Sequence, residues 1–364
     1  MIALRIRGEI ENLSSILLNN ELYPMGQVLR GAFGYIFLDM GLKISESYWN
    51  GRPILYFRDS FVKCICNGNI LPSGNKIYVC DKCGRLVAEP TIKDNVIGTH
   101  IGEHKVNSFY VEAITGKNVF NFEVILNMKN IKGDNEGNVE QRLSDFLGAI
   151  KYVEDNGLNI GKRGDKGFGK LIFKKLEKQE INKRDIDRRS DYLASRVREK
   201  EGKMTIHFLS DVVSEKAITS EDILRDCKNA AKFFGIAKWS EGGGGGKGGK
   251  GGEGGRGEGG GEGKGQYDSP KLTILKREND SRRVVEFLDL KIDPITREGT
   301  PKKTKLGVIA KGAKYECLLN DGKNLDDIYG NDRYKKWFDT LATAEMLRGI
   351  GDRISFGKGQ FRVM

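Results

Sequence analysis

A glycine-rich turn that occurs twice constrains the fold of this chain more than any other feature. Without gaps, the twelve residues that start at Ile160 align with the twelve that start at Ile350. Five aligned positions, each pair 190 residues apart, carry the same residue: one isoleucine, one arginine and three glycines. Each copy follows a predicted amphipathic helix and precedes a short apolar strand. We therefore expect two related modules in tandem.

The length of the chain also favours two domains, because 364 residues exceed the usual size of a single hydrophobic core. We place the first domain at 1–178 and the second at 204–364. Residues 179–203 are almost wholly charged, and we interpret them as an exposed linker. The predicted strands and helices of both domains give an α+β fold.

Apolar periodicity locates two of the helices. The first carries an apolar stripe that ends before Gly157, a residue type suited to the left-handed C-terminal position. The second carries a stripe around Cys227, with Thr219 and Asp222 spaced as a capping box and Gly235 at its end. Cys227 and Cys317 are predicted core residues.

A glycine tract interrupts the second domain. Of the 24 residues at 242–265, 17 are glycine. Such a segment buries too little apolar area to offset its backbone entropy, so it is predicted to be a disordered insertion. An RNA-binding tail is the alternative, although Arg256 is the only arginine in the tract and it has no aromatic residue.

The charge balance favours a polyanionic partner. The net charge is +11 and the pI is about 9.2, values that are typical of nucleic-acid-binding proteins but also occur in basic proteins without such a partner. The sequence has no apolar stretch long enough to span a bilayer, and its first ten residues alternate like a strand instead of forming a signal peptide. We therefore expect a cytoplasmic protein with no membrane partner.

The repeated turn is suited to phosphate binding. Glycines let a nucleic-acid backbone approach closely, and successive backbone N–H groups form a concavity that binds anions. The alternative is a structural helix-to-strand connection. Because helix precedes loop and loop precedes strand, the turn is neither a Walker loop nor a dinucleotide fingerprint. The candidate contacts are Gly161, Lys162, Arg163, Lys166, Gly167, Gly169 and Lys170 in the first copy and Arg353, Gly357, Lys358 and Gly359 in the second.

Four cysteines form a metal-type pattern. Cys64 and Cys66 are separated by thirteen intervening residues from Cys80 and Cys83. Four thiolates at this spacing fit a tetrahedral structural Zn²⁺ site, which would have no open position for catalysis. A reduced metal-free loop, or two disulfides, are the alternatives. The pattern predicts a four-cysteine insertion at about 60–90.

These motifs resemble, in their order, the CRISPR-associated RAMP superfamily of RNA-binding proteins. The segment from Gly26 to Tyr35 is similar to the superfamily's glycine-led helix start, and a cysteine cluster follows it. The final glycine-rich segment, from Ile350 to Phe361, is similar to the C-terminal loop of the CRISPR repeat-processing endoribonucleases. Arg30, which lies in the first of these motifs, joins the candidate RNA contacts.

The resemblance implies two tandem ferredoxin-like (RRM-like) domains, the first with the zinc-binding insertion and the second with the disordered glycine-rich one. It implies a role in antiviral defence, in which the protein binds CRISPR RNA and processes its repeat precursor by metal-independent cleavage. The alternative is a non-catalytic backbone or capping subunit of a CRISPR effector complex, with other subunits as partners. A third reading is an unrelated RNA- or DNA-binding protein.

The sequence supports binding more strongly than cleavage. Metal-free cleavage uses a general base near the 2′-hydroxyl group, and the family often supplies a histidine from its first helix or just after it. This chain has no histidine before His100. His100, His104 and His207 are weak catalytic candidates, and a lone histidine on a strand, such as His207, is more often structural.

Overall fold

Helices and antiparallel sheets are mixed in the part of the chain that the structure describes, which confirms the predicted α+β class. The computed structural model describes residues 1–18, 23–42, 54–73, 77–88, 93–101, 106–129, 136–161, 169–214, 216–236, 271–292, 299–319, 332–352 and 358–364. The glycine tract at 242–265 lies outside these residues.

The secondary structure falls into two halves. In chain order, the first half contains β1 (Ala3–Asn12), α1 (Gly26–Asp39), β2 (Leu55–Phe57), β3 (Ile70–Pro72), β4 (Ile77–Cys80), β5 (Leu86–Ala88), β6 (Lys93–Ile101), β7 (Val106–Ile114), β8 (Val119–Asn127), α2 (Glu136–Asn156), β9 (Leu158–Asn159) and β10 (Lys170–Ile181). The second contains α3 (Lys183–Glu199), β11 (Lys203–Phe208), β12 (Val212–Val213), α4 (Ser220–Phe233), β13 (Leu272–Glu278), β14 (Arg282–Ile292), β15 (Gly299–Ile309), β16 (Lys314–Leu319), α5 (Asp332–Thr343), a π-helical turn (Ala344–Arg348) and β17 (Phe361–Val363).

The main sheets of the two halves have the same strand order. In the first half the order is β2-β8-β1-β10-β9, and in the second it is β13-β16-β11-β17. If the two-residue β9 is set aside, each sheet has four main strands. When these strands are numbered as they occur along the chain, they lie side by side in the order 2-3-1-4. One helix follows the first strand and another follows the third. We call residues 1–181 the first module and residues 203–364 the second module.

In the first module, one face of the sheet packs against α1 and α2. Ile6 and Ile10 of β1 are fully buried in the core that these helices cover, with Phe33 of α1 and Phe146 of α2. Successive strand residues point to opposite faces, so the intervening residues of β1, such as Arg5, lie on the face away from the helices. That face is turned toward the second module.

The second module packs in the same way, and it also contacts the first. Ile206 of β11 and Trp337 of α5 share a buried core with the apolar face of α4. This core extends to Tyr56 and Ile125 of the first module. The ring centroids of Tyr56 and Phe234 are 5.8 Å apart. The two modules therefore meet through an apolar contact at one end of the first sheet.

Each module carries insertions between its second and third main strands. In the first module these are the small sheet β3-β4-β5 and the hairpin β6–β7. In the second module, the hairpin β14–β15 pairs with β12. The small sheet and the segment that precedes it carry the four cysteines, at the position predicted for the four-cysteine insertion.

The segment predicted to be an exposed linker is instead strand and helix. Strand β10 continues to Ile181, and α3 occupies most of the remainder. The side chains of Ile186, Leu193 and Val197 are buried, and α3 packs against α5. Asn182 and Asp185 form a capping box at the start of α3. The abundant charges obscured a narrow apolar stripe that is sufficient to bury one face.

Several local predictions are confirmed. The capping box of Thr219 and Asp222 is present at the start of α4. Gly157 and Gly235 have φ angles of 74° and 65° beyond the ends of their helices, which is the left-handed conformation expected of a terminating glycine. Cys227 and Cys317 are buried in the second core.

Candidate nucleic-acid interface

The two glycine-rich turns are closed at the base by the same hydrogen bond. The N–H group of Ile160 donates to the carbonyl oxygen of Gly169 at 2.9 Å, and that of Ile350 donates to Gly359 at 2.9 Å. Gly169 and Gly359 have φ angles of 83° and 72°. A Cβ atom on either glycine would lie 1.8 Å from the carbonyl oxygen of the paired isoleucine. Only glycine fits these two positions.

The second shared feature of the two turns is their contact with the segment that follows the first strand of each module. Gly161 and Gly351 have φ angles of 81° and 89°, and a Cβ atom there would lie 2.6 Å from the carbonyl oxygen of Leu17 and 2.8 Å from that of Val213. The sequence repeat is therefore also a repeat of backbone geometry. The glycines at the base are structural, as the alternative interpretation of the motif expected.

The phosphate-binding hypothesis concerns the tips of the loops. Gly169 and Lys170 are described, and Lys170 is exposed at the start of β10. The remaining predicted contacts at the tips lie outside the described residues: Lys162, Arg163, Lys166, Gly167, Arg353 and Gly357.

Two predicted RNA contacts are buried. Arg30, on α1, is 8% exposed, and Lys358 is 2% exposed. The Nζ atom of Lys358 lies 3.5 Å from Oδ2 of Asp211. A buried ammonium group requires such a partner. The prediction of phosphate contacts requires side chains at the open surface. The side chains of Arg30 and Lys358 are not there.

Asp211 organises the region around Lys358. Its carboxylate accepts hydrogen bonds from Nη2 of Arg283 at 2.8 and 3.0 Å and from the backbone N–H of Lys311 at 3.1 Å. Burial opposes its ionisation, but the positive charges of Lys358 and Arg283 prevail and hold the pKa of Asp211 below its usual value. Its backbone oxygen accepts the N–H of Gly359 at 2.8 Å. Asp211 therefore holds Lys358 and the base of the second turn together.

A cleft of about 1020 Å³ lies between the two modules and α3. Its described lining contains more basic than acidic side chains, nine against five. This excess gives the cleft the positive potential that a phosphodiester chain requires. The basic lining residues are Arg5, Arg7, Arg58, Lys63, Lys175, Arg189, Arg196, Lys203 and Arg362.

Glu123 lies among three arginines at the floor of the cleft. It accepts a hydrogen bond from Nε of Arg7 at 2.6 Å, and its Oε1 lies 3.8 Å from Nε of Arg5 and 3.7 Å from Nε of Arg58. Burial opposes its ionisation, but the three cations hold the pKa of Glu123 below its usual value. Burial also lowers the pKa of Arg5, to about 10. One carboxylate against three guanidinium groups leaves the floor positive at neutral pH.

Arg5 and Arg58 also join the modules. Nη2 of Arg5 donates to the carbonyl oxygen of Met346 at 3.0 Å, and Nη2 of Arg58 donates to that of Glu345 at 3.3 Å. Both acceptors belong to the π-helical turn at the end of α5. Cations are favourable at the C-terminal end of a helix, where carbonyl groups lack intrahelical partners. The same arginines that line the cleft therefore help to set its geometry.

The sequence did not single out these cleft residues. Arg5 and Arg7 are two apart on β1, so they share one face, and this period-two pattern was a usable signal. Glu123 and Arg58 come from elsewhere in the chain, and the strand pairing that brings Glu123 opposite Arg7 is not readable from local sequence.

Among the described side chains, His207 is the one histidine, and it is buried. It is 8% exposed, and its Nε2 atom lies 3.0 Å from the carbonyl oxygen of Pro72. Burial, reinforced by the positive charge of Lys314, lowers the pKa of His207 to about 4. His100 lies on β6 without a described side chain, and His104 is outside the described residues. The environment of His207 is that of a neutral structural histidine.

The four predicted metal ligands are brought together. The Sγ atoms of Cys64, Cys66, Cys80 and Cys83 all lie within 4.8 Å of one another. The Cys64–Cys83 and Cys66–Cys80 separations are 3.8 and 3.3 Å, near the roughly 3.8 Å between sulfurs in a tetrahedral site with Zn–S bonds of ~2.3 Å. All four cysteines are free of disulfides. This cluster could hold a metal ion.

The backbone around Cys80 favours the thiolate form of this residue. The N–H groups of Cys83 and Lys82 donate to Sγ of Cys80 and lower the pKa of its thiol to about 6. Gly84 has a positive φ angle of 70°, which allows its N–H group to donate a hydrogen bond to the carbonyl oxygen of Cys80 at 3.0 Å. This tight turn presents both cysteines of the Cys-x-x-Cys pair to one point.

The cysteine-bearing insertion contacts the second module directly. One such contact is that of His207 with Pro72. In addition, Nη1 of Arg362 lies 3.5 Å from Oδ2 of Asp81, and Nδ2 of Asn279 donates to the carbonyl oxygen of Ser73 at 3.3 Å. Asp81 lies between the cysteines of the second pair. The insertion is therefore part of the junction between the modules.

In the described part of the chain, no helix combines the length and the apolar character needed to cross a membrane. No family model matches the sequence, and no curated protein matches it.

The solved structures that show weak similarity to this chain include the following two. One is a chain of the type III-B Cmr-beta complex bound to cognate target RNA, with 12% identity and a TM-score of 0.30 over 49% of this chain. The match spans 61% of that chain's length, or about three fifths. The other, described as CRISPR associated protein Cas6, has 10% identity and a TM-score of 0.38, with 100% of this chain and 99% of that chain covered. Likenesses at this level do not identify a family.

Proposed function

We propose that this chain is a RAMP-superfamily protein that binds CRISPR RNA in the basic cleft between its modules. The observation that carries the proposal is the cleft itself, which is lined by nine basic side chains and bounded by two modules with the same strand order. The order and content of the sequence motifs supply the family. A single-stranded nucleic acid fits a positively charged groove that runs along its phosphates.

The tandem ferredoxin-like architecture is part of this proposal. A ferredoxin-like domain has two βαβ units whose four strands form one antiparallel sheet. The main strands of each module follow this pattern, with helices α1 and α2 in the first and α4 and α5 in the second. The domain boundary then falls between β10 and α3, because α3 packs on the second module as an additional helix.

Exposed cations are available for phosphates. The side chains of Arg7, Arg196 and Arg362 are 51%, 45% and 45% exposed, and all three line the cleft. We further propose that the tips of the glycine-rich loops, with Lys162, Arg163 and Lys166 in the first, add phosphate contacts. Arg163→Ala and Arg353→Ala test this addition, because both should weaken RNA affinity and flatten its salt dependence.

Cleavage of precursor repeat RNA is the activity that the resemblance implies, and a non-cleaving subunit of an effector complex is the alternative. The burial of His207 and its low pKa favour the alternative, because this histidine is buried against Pro72 and is not one of the residues that line the cleft. The two candidates predict different products from the same RNA, so one assay separates them.

The assay uses the purified chain and labelled repeat RNA in EDTA, with a 2′-deoxy substitution at each position in turn. Cutting at one site that a single substitution abolishes establishes the endoribonuclease. Tight binding with intact RNA establishes the non-cleaving subunit. Absence of binding at low salt would reject both.

A matched pair of variants on α3 tests the cleft. Arg196→Ala should weaken RNA binding and reduce the slope of log affinity against log salt by about one. Arg188→Ala should change neither value, because Arg188 is 73% exposed on the same helix and does not line the cleft. Equal effects of the two substitutions would contradict binding in the cleft.

We also propose that the four cysteines hold a structural Zn²⁺ ion. Four thiolates are the donor set that Zn²⁺ prefers in such sites, and the reducing cytoplasm in which we place the protein keeps them free of disulfides. With four protein ligands, the ion would organise the insertion and would not activate water.

A further inference from the structure

An exposed aromatic side chain lies in the cleft among cations. Tyr192 of α3 is 51% exposed and lines the cleft. The other described aromatic residues of the lining, Phe61, Phe122 and Phe361, are at most 4% exposed. Tyr192 is therefore the described aromatic ring of the cleft that is open to solvent, and its exposure shows that it does not serve the core.

The ring of Tyr192 is held in place by a fixed cation. The Cζ atom of Arg189 lies 4.9 Å from the ring centroid. The guanidinium group of Arg189 in turn donates two hydrogen bonds to the carboxylate of Glu345, at 2.7 Å from Nε and at 2.6 Å from Nη2. Such a bidentate pair fixes the plane of the guanidinium. A ring that is already oriented loses little conformational entropy when a ligand stacks on it.

Phosphate-binding groups lie beside this ring. Arg196 is four residues after Tyr192, so it lies one turn further along the same face of α3. It is 45% exposed and lines the cleft, as does the exposed Lys203 at the start of β11. Aromatic rings alternating with cations are the pattern by which proteins bind single-stranded nucleic acid, because each base stacks while its phosphate pairs.

We propose that Tyr192 is a stacking platform for one unpaired base of the RNA that the cleft binds. This inference rests on the proposed function. It adds that the bound segment is single-stranded, because a base within a duplex cannot stack on a side chain without leaving its neighbours. The contact is tolerant of sequence, since every base has an aromatic face.

The test compares three variants by titration of a labelled single-stranded RNA of about 15 nucleotides, a length that covers the usual site sizes. Tyr192→Leu removes the aromatic face while keeping an apolar side chain on the helix, and Tyr192→Phe keeps the face. Tyr152→Leu is the matched control, because Tyr152 is 43% exposed on α2 and does not line the cleft. Unfolding midpoints confirm that all variants remain folded.

We expect Tyr192→Leu to weaken binding roughly tenfold, as loss of one base stack does, with Tyr192→Phe and Tyr152→Leu within about twofold of the parent. RNAs with a single abasic position provide a second readout. One position should weaken binding to the parent and have little effect on binding to Tyr192→Leu, because the stack is already lost there.

The possible results separate failure of the stacking platform from failure of the proposed function. If the parent binds RNA and Tyr192→Leu binds equally well, the stacking platform is refuted while the proposed function stands. If the parent does not bind RNA at all, the proposed function itself fails. Equal losses in Tyr192→Leu and Tyr192→Phe would also overturn the inference, because they would assign the effect to the hydroxyl group.

Discussion

Gly169 and Gly359 lie so close to neighbouring carbonyl groups that they leave no room for a side chain. The carbonyl oxygen of each accepts a hydrogen bond from the N–H of the isoleucine that opens its turn, and each glycine has a positive φ angle. The requirement is steric and local, which is why it is visible in the sequence as a repeated glycine. The charges of the turn are a separate matter, since Lys358 is buried against Asp211 instead of facing solvent.

Substitution of Gly169 by alanine should therefore destabilise the chain by roughly 2 kcal/mol or more, because the new Cβ atom meets backbone and the φ angle is strained. Gly148→Ala is the matched control. Gly148 lies on α2 with nothing within 4 Å of its Cβ position, so alanine there should stabilise the helix by about 0.5–1 kcal/mol. Urea unfolding measures both, and a neutral Gly169→Ala would contradict the geometry of the turn.

His207 predicts a pH dependence. Its pKa of about 4 in the folded chain lies below the value near 6.5 expected when unfolded. The unfolded chain therefore binds the proton more readily, so the stability that neutral His207 provides is complete above pH ~6.5 and is lost as pH falls toward 4. The full difference is about 3 kcal/mol.

The measurement is the free energy of unfolding between pH 7 and 4, compared with His207→Gln. The glutamine amide can still donate to the carbonyl oxygen of Pro72 but does not titrate in this range. Between pH 6.5 and 4, the free energy of unfolding of His207→Gln should lack the fall with pH that His207 contributes in the parent protein. Parallel curves for the two proteins would show that the pKa of His207 is the same in the folded and unfolded chains, and would contradict its lowering by burial.

At the scale of elements, local patterns predicted the strands β1 and β17 and the helices α2 and α4, because each carries a clear apolar period or a cap. They failed for α3, where four buried residues at helical spacing are outnumbered by charges. They could not predict the cleft, because Arg58 and Glu345 meet only after the two modules have packed. Local sequence encodes faces and caps, whereas the site depends on pairings between distant strands and helices.

The cysteine insertion is the element with the sharpest chemical test. Freshly purified protein should contain about one equivalent of zinc by metal analysis, because the four sulfurs already converge. Cys66→Ser should reduce the content strongly, whereas Cys227→Ala should not, since Cys227 is buried in the second core. Less than about half an equivalent in the parent protein would contradict a zinc site.

At the scale of the whole molecule, two modules with one strand order place the helix-free face of the first sheet toward the second module. The arginines of that face, Arg5 and Arg58, hold the second module through the π-helical turn and also line the cleft. The cysteine insertion adds contacts at the same junction. A cleft built in this way combines positive charge with a defined shape, and α3 completes its wall with Tyr192 and Arg196.

The most direct measurement of RNA binding in this cleft is photo-crosslinking of single-stranded RNA that carries 4-thiouridine, followed by mass spectrometry of the linked peptides. We predict crosslinks in the peptides that contain Arg7 of β1, Tyr192 of α3 and Arg362 of β17, with additional links at the glycine-rich loops. Crosslinks confined to peptides outside the cleft and the two loops would contradict the account.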